Sequence, residues 1–291
     1  MDTHQLIAIF CQIDDFCKEL DSYSEHKLLT GPNSTKRGPS CSLTISEIMT
    51  VLVMFQYSGY RTFKNFYKGF LSEYWRAYFP TLPSYERFIA IMNRAIFPMV
   101  LFTQIHSSKR TGIYYIDSSC LPVCHLKRSK RHKTFNAVSE YGKTSVGWFF
   151  GLKLHIVINH NGELIAFKIT NGKRHDAAEA ASIFQSLRGL AFGDKGYIGK
   201  KLFEELFQKG LKLITRQRKN MKKVPKTKHE QQLLNQRGII ETVIGHLKHR
   251  FQVWHTRHRS QINAMTHLLA ALAAYTIEPL KISALKRLTV E

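Results

Sequence analysis

Apolar residues recur at helical spacing through the first hundred positions and gather into short runs after them. Leu6, Ile9, Phe10, Ile13, Phe16, Cys17 and Leu20 fall on one stripe, which predicts an amphipathic helix within residues 1–28. Residues 30–42 carry Gly31, Pro32, Gly38 and Pro39 among Ser, Thr, Lys and Arg and read as a loop or short linker. Thr44-Ile45-Ser46-Glu47 has the form of a capping box. A helix should start there, run through Ile48, Met49, Leu52, Val53 and Phe55, and stop near Gly59. Residues 61–79 are dense in aromatics at helical spacing, a core pattern that Pro80 and Pro83 break. Ser84 then caps a helix carrying Tyr85, Phe88, Ile89 and Met92 that ends near Pro98. Residues 1–106 are therefore predicted to be an all-helical domain. Several short helices in a row admit a helix-turn-helix that binds DNA; they equally admit a bundle that only scaffolds the rest.

After Ser107 the pattern changes. Ile113-Tyr114-Tyr115-Ile116 is β-branched and aromatic and ends at Asp117, a strand by composition. Leu121–Cys124 continues it past a bend at Ser118 and Ser119. Residues 148–158 and 164–170 predict two more strands, joined by the hairpin signal Asn161-Gly162. Residues 175–187 predict a helix, 190–194 a strand, 200–209 a helix closed by Gly210, and 211–214 a short strand. A long helix follows over about 229–251. The Ala- and Leu-rich segment 262–277 predicts a last helix packed on the sheet. Three strands, a helix, a strand, a helix, a strand and a long helix is the element order of an RNase H-like fold. The expected architecture is α/β: a five-stranded mixed sheet with flanking helices over 107–291, preceded by the helical domain at 1–106. In that fold the first and fourth strands are neighbours.

Composition adds a partner. The 291 residues hold 43 Lys and Arg against 21 Asp and Glu, a formal charge of +22, which points to a polyanion, most often nucleic acid. Two segments concentrate the charge: Lys127, Arg128, Lys130, Arg131 and Lys133 in one, and Arg216, Arg218, Lys219, Lys222 and Lys223 in the other. No uninterrupted apolar run reaches the length of a bilayer span, and nothing at the N-terminus reads as a signal peptide. Five scattered cysteines fit a reducing compartment. Trp75, Trp148 and Trp254 read as core, with Trp254 the one placed among basic residues to stack on a base.

Candidate chemistry rests on acids. Asp117 ends the first strand. Asp194 ends the fourth, in Ala191-Phe192-Gly193-Asp194-Lys195-Gly196-Tyr197. Alone, Asp194 reads first as the cap of the helix that follows. If the two strands are parallel neighbours, the carboxylates meet at one end of the sheet. Arg237, Glu241 and Lys248 share a face of the long helix, so Glu241 can reach over both. Three converging carboxylates repel one another without cations, and oxygen-only ligands favour Mg²⁺, with Mn²⁺ as a substitute. Two such ions would suit in-line attack at a phosphodiester. Gly193 and Gly196 are then expected to leave room for a metal and a phosphate. His155 reads as structural, and His175-Asp176 as a helix cap that could support the metal site.

These pieces resemble a known family. Tyr115-Ile116-Asp117-Ser118, Gly151-Leu152-Lys153-Leu154-His155, His175-Asp176, Gly193-Asp194-Lys195-Gly196-Tyr197 and Arg237-Gly238-Ile239-Ile240-Glu241, with Lys248 seven residues on, are similar in order to the DDE transposases of bacterial insertion sequences, most of all insertion sequence family 982. The last piece is similar to the Tyr-Arg-Glu-Lys signature and departs from it at the Tyr position, which holds Leu234. The resemblance implies that Asp117, Asp194 and Glu241 bind two metal ions and that Arg237 and Lys248 contact DNA near the scissile phosphate. It implies recognition of inverted-repeat ends, hydrolysis there, and joining of the 3′-hydroxyl to target DNA. The expected partners are double-stranded DNA and, when two ends are held together, a second copy of the chain. The expected place is the cytoplasm of a bacterium, at the nucleoid, with no membrane. A metal-dependent nuclease that joins nothing and a DNA-binding regulator with a silent site are the rival readings.

Overall fold

The computed structural model describes residues 2–26, 42–217, 220–221, 224–254, 258–279 and 281. The linker expected at 30–42 lies outside them except for Ser42. So do Arg218, Lys219, Lys222 and Lys223. The chain divides into two compact units.

The first unit comprises Met1–Ile105, Arg250–Gln252 and Arg259–Ile277, and it is helical. Its elements are α1 (Thr3–His26), α2 (Ile45–Tyr57), α3 (Phe63–Phe66), a π-turn at Tyr67–Leu71, α4 (Ser72–Tyr74), α5 (Tyr85–Ile91) and α6 (Ile96–Ile105). The capping box forms as its sequence dictates: the Glu47 amide donates to Thr44 Oγ1 at 3.1 Å, and the Thr44 amide donates to Glu47 Oε2 at 2.7 Å. Ser84 likewise accepts from the Arg87 amide at 3.2 Å. The aromatic segment packs ring on ring, Phe63 and Phe88 tilted with centroids 5.4 Å apart and Phe70 and Trp75 edge to face at 4.8 Å.

Pro98 does not end a helix as its sequence context suggests. It sits in the first turn of α6, where a missing N–H leaves no bond unmade. As a result Tyr85–Ile105 is one helical run of 21 residues, long and apolar enough by length and composition to cross a membrane. No uninterrupted apolar stretch announces it, because Glu86, Arg87 and Arg94 interrupt the sequence. Phe88, Met92, Ala95, Met99 and Phe102 along it are buried.

The last helix, α11 (Gln261–Ile277), belongs to this first unit and packs with α2 and α6. The sheet was its expected partner. Leu268 through Tyr275 are all buried, and a helix apolar all round needs neighbours on every side, which a bundle supplies. Tyr57 donates its hydroxyl to the Ala274 carbonyl at 2.7 Å.

The second unit, chiefly His106–His249, is a mixed sheet with helices on both faces. Its strands are β1 (Ile113–Cys124), β2 (Glu140–Lys143), β3 (Trp148–Asn159), β4 (Leu164–Asn171), β5 (Gly189–Gly193) and β6 (Leu211–Thr215). The order is β2-β3-β1-β5-β6, with β4 also paired to β3. β4 takes Leu152–Ile158 of β3, and β2 takes Trp148–Gly151. Among the described residues six strands form where five were expected. β2 is short, polar and largely exposed, so no alternation marks it. β1 runs antiparallel to β3, and β5 runs parallel to both β1 and β6.

The helices are α7 (Asp176–Ile183), α8 (Lys200–Gln208), α9 (Lys228–Asn235) and α10 (Gly238–His249). α7 and α8 bury Ala180, Ile183, Phe184, Leu202 and Leu206 against Tyr114, Ile116, Val157 and Ala191 on one face. α10 packs on β1. Because alternate strand residues point to opposite faces, Tyr115 and Asp117 lie opposite to Tyr114 and Ile116. The Tyr115 and Phe192 rings meet at 5.6 Å.

The single long helix expected over 229–251 is two helices. Residues 236–237 turn between them, and Thr227 with Glu230 caps the first in a capping box. Leu234, at the position where a tyrosine would complete the signature, is buried.

Candidate active site

β1 does not stop or bend at Asp117. Its ladder with β3 continues through Asp117↔Ile156, Ser118↔His155 and Ser119↔Leu154. The strand ends only on its other edge, where pairing to β5 runs Ile113↔Leu190, Tyr114↔Ala191, Tyr115↔Phe192 and no further. One edge of β1 thus stays fixed while the other opens. Asp117 and Asp194 each lie two residues past that last pair, Asp194 being the residue that follows β5. Parallel neighbours are ~4.8 Å apart where they pair, so the two chains leave Tyr115 and Phe192 close together.

Asp117 is held from two sides. The Ser118 amide donates to its Oδ1 at 2.8 Å, and Arg237 Nη1 stands 3.6 Å from its Oδ2. Only 21% of its side chain is exposed. Burial pushes its carboxyl up to about 6; the Ser118 amide and the Arg237 charge oppose the shift, and the charges of Asp194 and Glu241 add to it. The two other acids are thus close enough to be felt.

Asp194 follows β5 and does act as a cap. Its Oδ1 accepts the Gly196 amide at 2.7 Å, closing the 3₁₀ turn Lys195–Tyr197. The capping and site readings are compatible, since a carboxylate has a second oxygen to spare. The glycines do not serve as open space. A Cβ on Gly193 would lie 3.0 Å from the Tyr197 ring and 3.2 Å from Ile116, and one on Gly196 would lie 2.9 Å from Asp194 Oδ1. Gly193 makes room for the buried Tyr197, and Gly196 lets the turn close on the carboxylate.

Arg237 occupies the turn before α10, and Glu241 is in that helix's first turn. Arg237 Nη2 pairs with Glu241 Oε1 and Nη1 faces Asp117, so the guanidinium bridges the two acids. Arg237 is 13% exposed and Glu241 60%. Among the described residues no three Asp, Glu, His or Cys side chains are grouped closely enough to enclose a metal ion. Glu241 is turned to Arg237, and Asp194 bears on Asp117 through its charge. Lys248, further along α10, lies 4.4 Å from the centroid of the Trp254 ring, whose indole N–H donates to the Cys120 carbonyl at 2.8 Å. Trp254 and Trp148 are exposed, against expectation, while Trp75 is buried.

Behind the pair, on the α7 face, Asp176 is joined by two groups that the sequence did not single out, Ser118 and Lys153. Ser118 Oγ donates to Asp176 Oδ1 at 2.9 Å, and Lys153 Nζ donates to the same atom at 3.2 Å. His155 is fully buried in the middle of β3 and bonded to Thr170 Oγ1 at 2.9 Å; burial lowers its pKa. His175 is exposed and makes no capping bond. Lys127, Arg128, Lys130, Arg131 and Lys133 are exposed around a 3₁₀ turn that Ser129 pins, its Oγ donating to the Leu126 carbonyl at 2.7 Å. Arg216 is exposed just after β6. Adjacency in the motifs was the signal for Ser118 and Lys153: one follows Asp117, the other stands two residues before His155.

A protein-family model described as a Transposase DDE domain matches residues 107–261, more than half of the chain. No curated protein matches the sequence. Among solved structures, the cryo-EM structure of a piggyBac transposase synaptic complex with hairpin DNA is similar at 14% identity and a TM-score of 0.37, over 75% of this chain and 50% of that one. The chain thus spans about half the length of that transposase. By the match over 107–261, the chain belongs to the DDE transposase family.

Proposed function

We propose that the protein is the transposase of an insertion sequence similar to family 982. It binds the inverted-repeat ends of its element as double-stranded DNA, cleaves a phosphodiester there, and joins the freed 3′-hydroxyl to target DNA. The observation that carries this reading is that β1–β5 pairing ends at Tyr115 and Phe192, two residues short of both Asp117 and Asp194, while the charges of Asp194 and Glu241 both reach the Asp117 carboxyl. The order β4-β3-β1-β5-β6 with helices on both faces supports an RNase H-like catalytic domain.

The residues present fit hard divalent ions, Mg²⁺ or Mn²⁺. Their donors are oxygens only, and the partly buried Asp117 carboxyl, pushed toward neutrality among three acids, is a group that a cation would hold ionised. Asp117 and Asp194 would hold the ions, with Glu241 joining when its carboxylate turns from Arg237. Two such ions would supply an activated attacking oxygen and stabilisation of the leaving one. Arg237, released from Glu241, meets a DNA phosphate bidentately. Lys248, the 127–133 turn and Arg216 take phosphates further along the duplex. Hydrolysis and joining use the same in-line geometry, so one site serves both steps. Holding two ends together calls for at least two copies of the chain, working in the bacterial cytoplasm at the nucleoid.

The test is strand transfer. A duplex ending in the element's terminal repeat with a pre-cleaved 3′-hydroxyl is incubated with supercoiled target and Mn²⁺. Wild-type protein should give joined product, and Asp117→Ala, Asp194→Ala and Glu241→Ala should give none while still shifting the end duplex. Cleavage without joining would make the protein a nuclease. Shifting alone, in Mg²⁺ and Mn²⁺ alike, would make it a DNA-binding regulator.

A further inference from the structure

A carboxylate at the first position of a helix ordinarily faces the helix's own free amides and solvent. Asp176, at the first position of α7, instead turns to the sheet. Its Oδ1 accepts from Ser118 Oγ at 2.9 Å and from Lys153 Nζ at 3.2 Å, with His155 Nδ1 3.9 Å away. The pair is partly withdrawn from water, Lys153 being 12% and Asp176 24% exposed. Lys153 also donates to the Arg174 carbonyl at 2.9 Å, so the approach to α7 is tied to β3 at the same point.

Two connections lead from this carboxylate to the Asp117–Asp194 pair. The first runs through Ser118. Its hydroxyl donates to Asp176, and its amide donates to Asp117 Oδ1 at 2.8 Å. The second is at Gly196. Its amide donates to Asp194 Oδ1 at 2.7 Å. The space where its Cβ would be lies 3.5 Å from Asp176 Oδ2 and 2.9 Å from Asp194 Oδ1. One side chain therefore holds the residue whose amide aims Asp117 and faces the turn whose amide aims Asp194.

We infer that Asp176 is a positioning residue that fixes the spacing of Asp117 and Asp194 by holding Ser118 and facing the Gly196 turn, with Lys153 neutralising its charge. The inference rests on the reading of Asp117 and Asp194 as ligands of divalent ions. Groups that hold ligands in place in this way typically govern metal affinity by 10–100-fold. A carboxylate serving only to fasten α7 to the sheet would govern stability and nothing else.

Glu179 provides the comparison. It lies on the same helix, is buried, and pairs with Lys168 at 2.6 Å, but it touches neither Ser118 nor Gly196 by any bond. Mn²⁺ binding to the full chain is measured by titration calorimetry, and thermal unfolding is followed in EDTA. Asp176→Ala should weaken Mn²⁺ binding at least ~10-fold. Asp176→Asn, which keeps an acceptor for Ser118, should lose less. Ser118→Ala should lose several-fold with little change in melting temperature, and it carries the test if Asp176→Ala fails to fold. Glu179→Gln should lower the melting temperature and leave Mn²⁺ affinity as in wild type. Unchanged affinity in Asp176→Ala and Ser118→Ala, or an equal loss in Glu179→Gln, would overturn the inference while leaving the metal site standing. Absence of any Mn²⁺ binding that Asp117→Asn removes would overturn the metal site and the inference together.

Discussion

Asp117 and Asp194 each lie two residues past Tyr115 and Phe192, the last pair that joins the parallel strands β1 and β5. The relationship is one of backbone geometry, so it does not depend on how either side chain turns. It yields a first prediction. Asp117→Asn and Asp194→Asn, nearly isosteric, should each reduce cleavage and joining by at least ~10³-fold, the scale on which loss of a ligand at a charge-stabilising site acts. The dissociation constant for end DNA, read by gel shift, should stay within a few-fold. Retention of near-normal joining by either variant would remove that residue from the site.

The raised carboxyl of Asp117 makes stability depend on pH. Its folded value of about 6 lies above the ordinary Asp value of 3.8, so between these pH values the folded chain binds more protons than the unfolded one. Stability contributed by this group is full below pH ~4, falls as pH rises toward 6, and is absent at pH 7. In EDTA at pH 7.5, Asp117→Asn should therefore melt higher than wild type, by a free energy on the order of 1–3 kcal/mol, with the gap closing below pH 4. Adding Mn²⁺ should raise the wild-type melting temperature and not that of the variant. Equal pH profiles of wild type and variant would contradict this account.

Arg237 bridges Asp117 and Glu241, and its charge holds the Asp117 carboxyl down. Arg237→Met should raise the Asp117 pKa further, observable as a shift in its side-chain carboxyl ¹³C titration. In the Arg237→Met protein, end-DNA binding should fall and the slope of log affinity against log salt should flatten by about one unit. An unmoved titration would mean that the guanidinium does not stand where it is described.

The two glycines beside Asp194 should respond differently. Gly193→Ala forces a Cβ to within 3.0 Å of the Tyr197 ring and 3.2 Å of Ile116, all in a packed interior, and should destabilise by about 1–3 kcal/mol. Gly196→Ala meets the Asp194 carboxylate at 2.9 Å, a side-chain end that can swing aside by giving up the Gly196 amide. It should cost little in melting temperature and much in strand transfer. The reverse order of effects would refute the packing described.

Lys127, Arg128, Lys130, Arg131 and Lys133 project from a turn that Ser129 anchors. Each residue that meets a phosphate should contribute about 0.9 to the salt slope of DNA binding. The double variant Lys130→Ala with Arg131→Ala should flatten that slope by up to about two units without a change in melting temperature. A slope equal to that of wild type would place the turn away from DNA.

What the sequence determined by itself is local or compositional. Thr44 with Glu47, and Thr227 with Glu230, carry their capping partners within four residues, so the starts of α2 and α9 are written in short segments. The second sets the start of α9 at Lys228. The identity of the acids and the basic segment at 127–133 are also visible along the chain, because each depends on residue type and spacing in one stretch; β2 and the break between α9 and α10 are not. Tertiary structure decided the rest. Whether β1 ends at Asp117 depends on which edge is asked about, since β3 stays paired to it and β5 leaves. Whether Gly193 is open space or a packing contact depends on Tyr197 filling it. The partner of α11 depends on α2 and α6, some two hundred residues away in the chain. The meeting of Asp176 with Ser118 joins residues 58 apart, and that of Arg237 with Asp117 joins a helix turn to a distant strand. Strand register and the choice of helix face are set by contacts between distant segments. Local periodicity narrows those choices, and packing in three dimensions makes them.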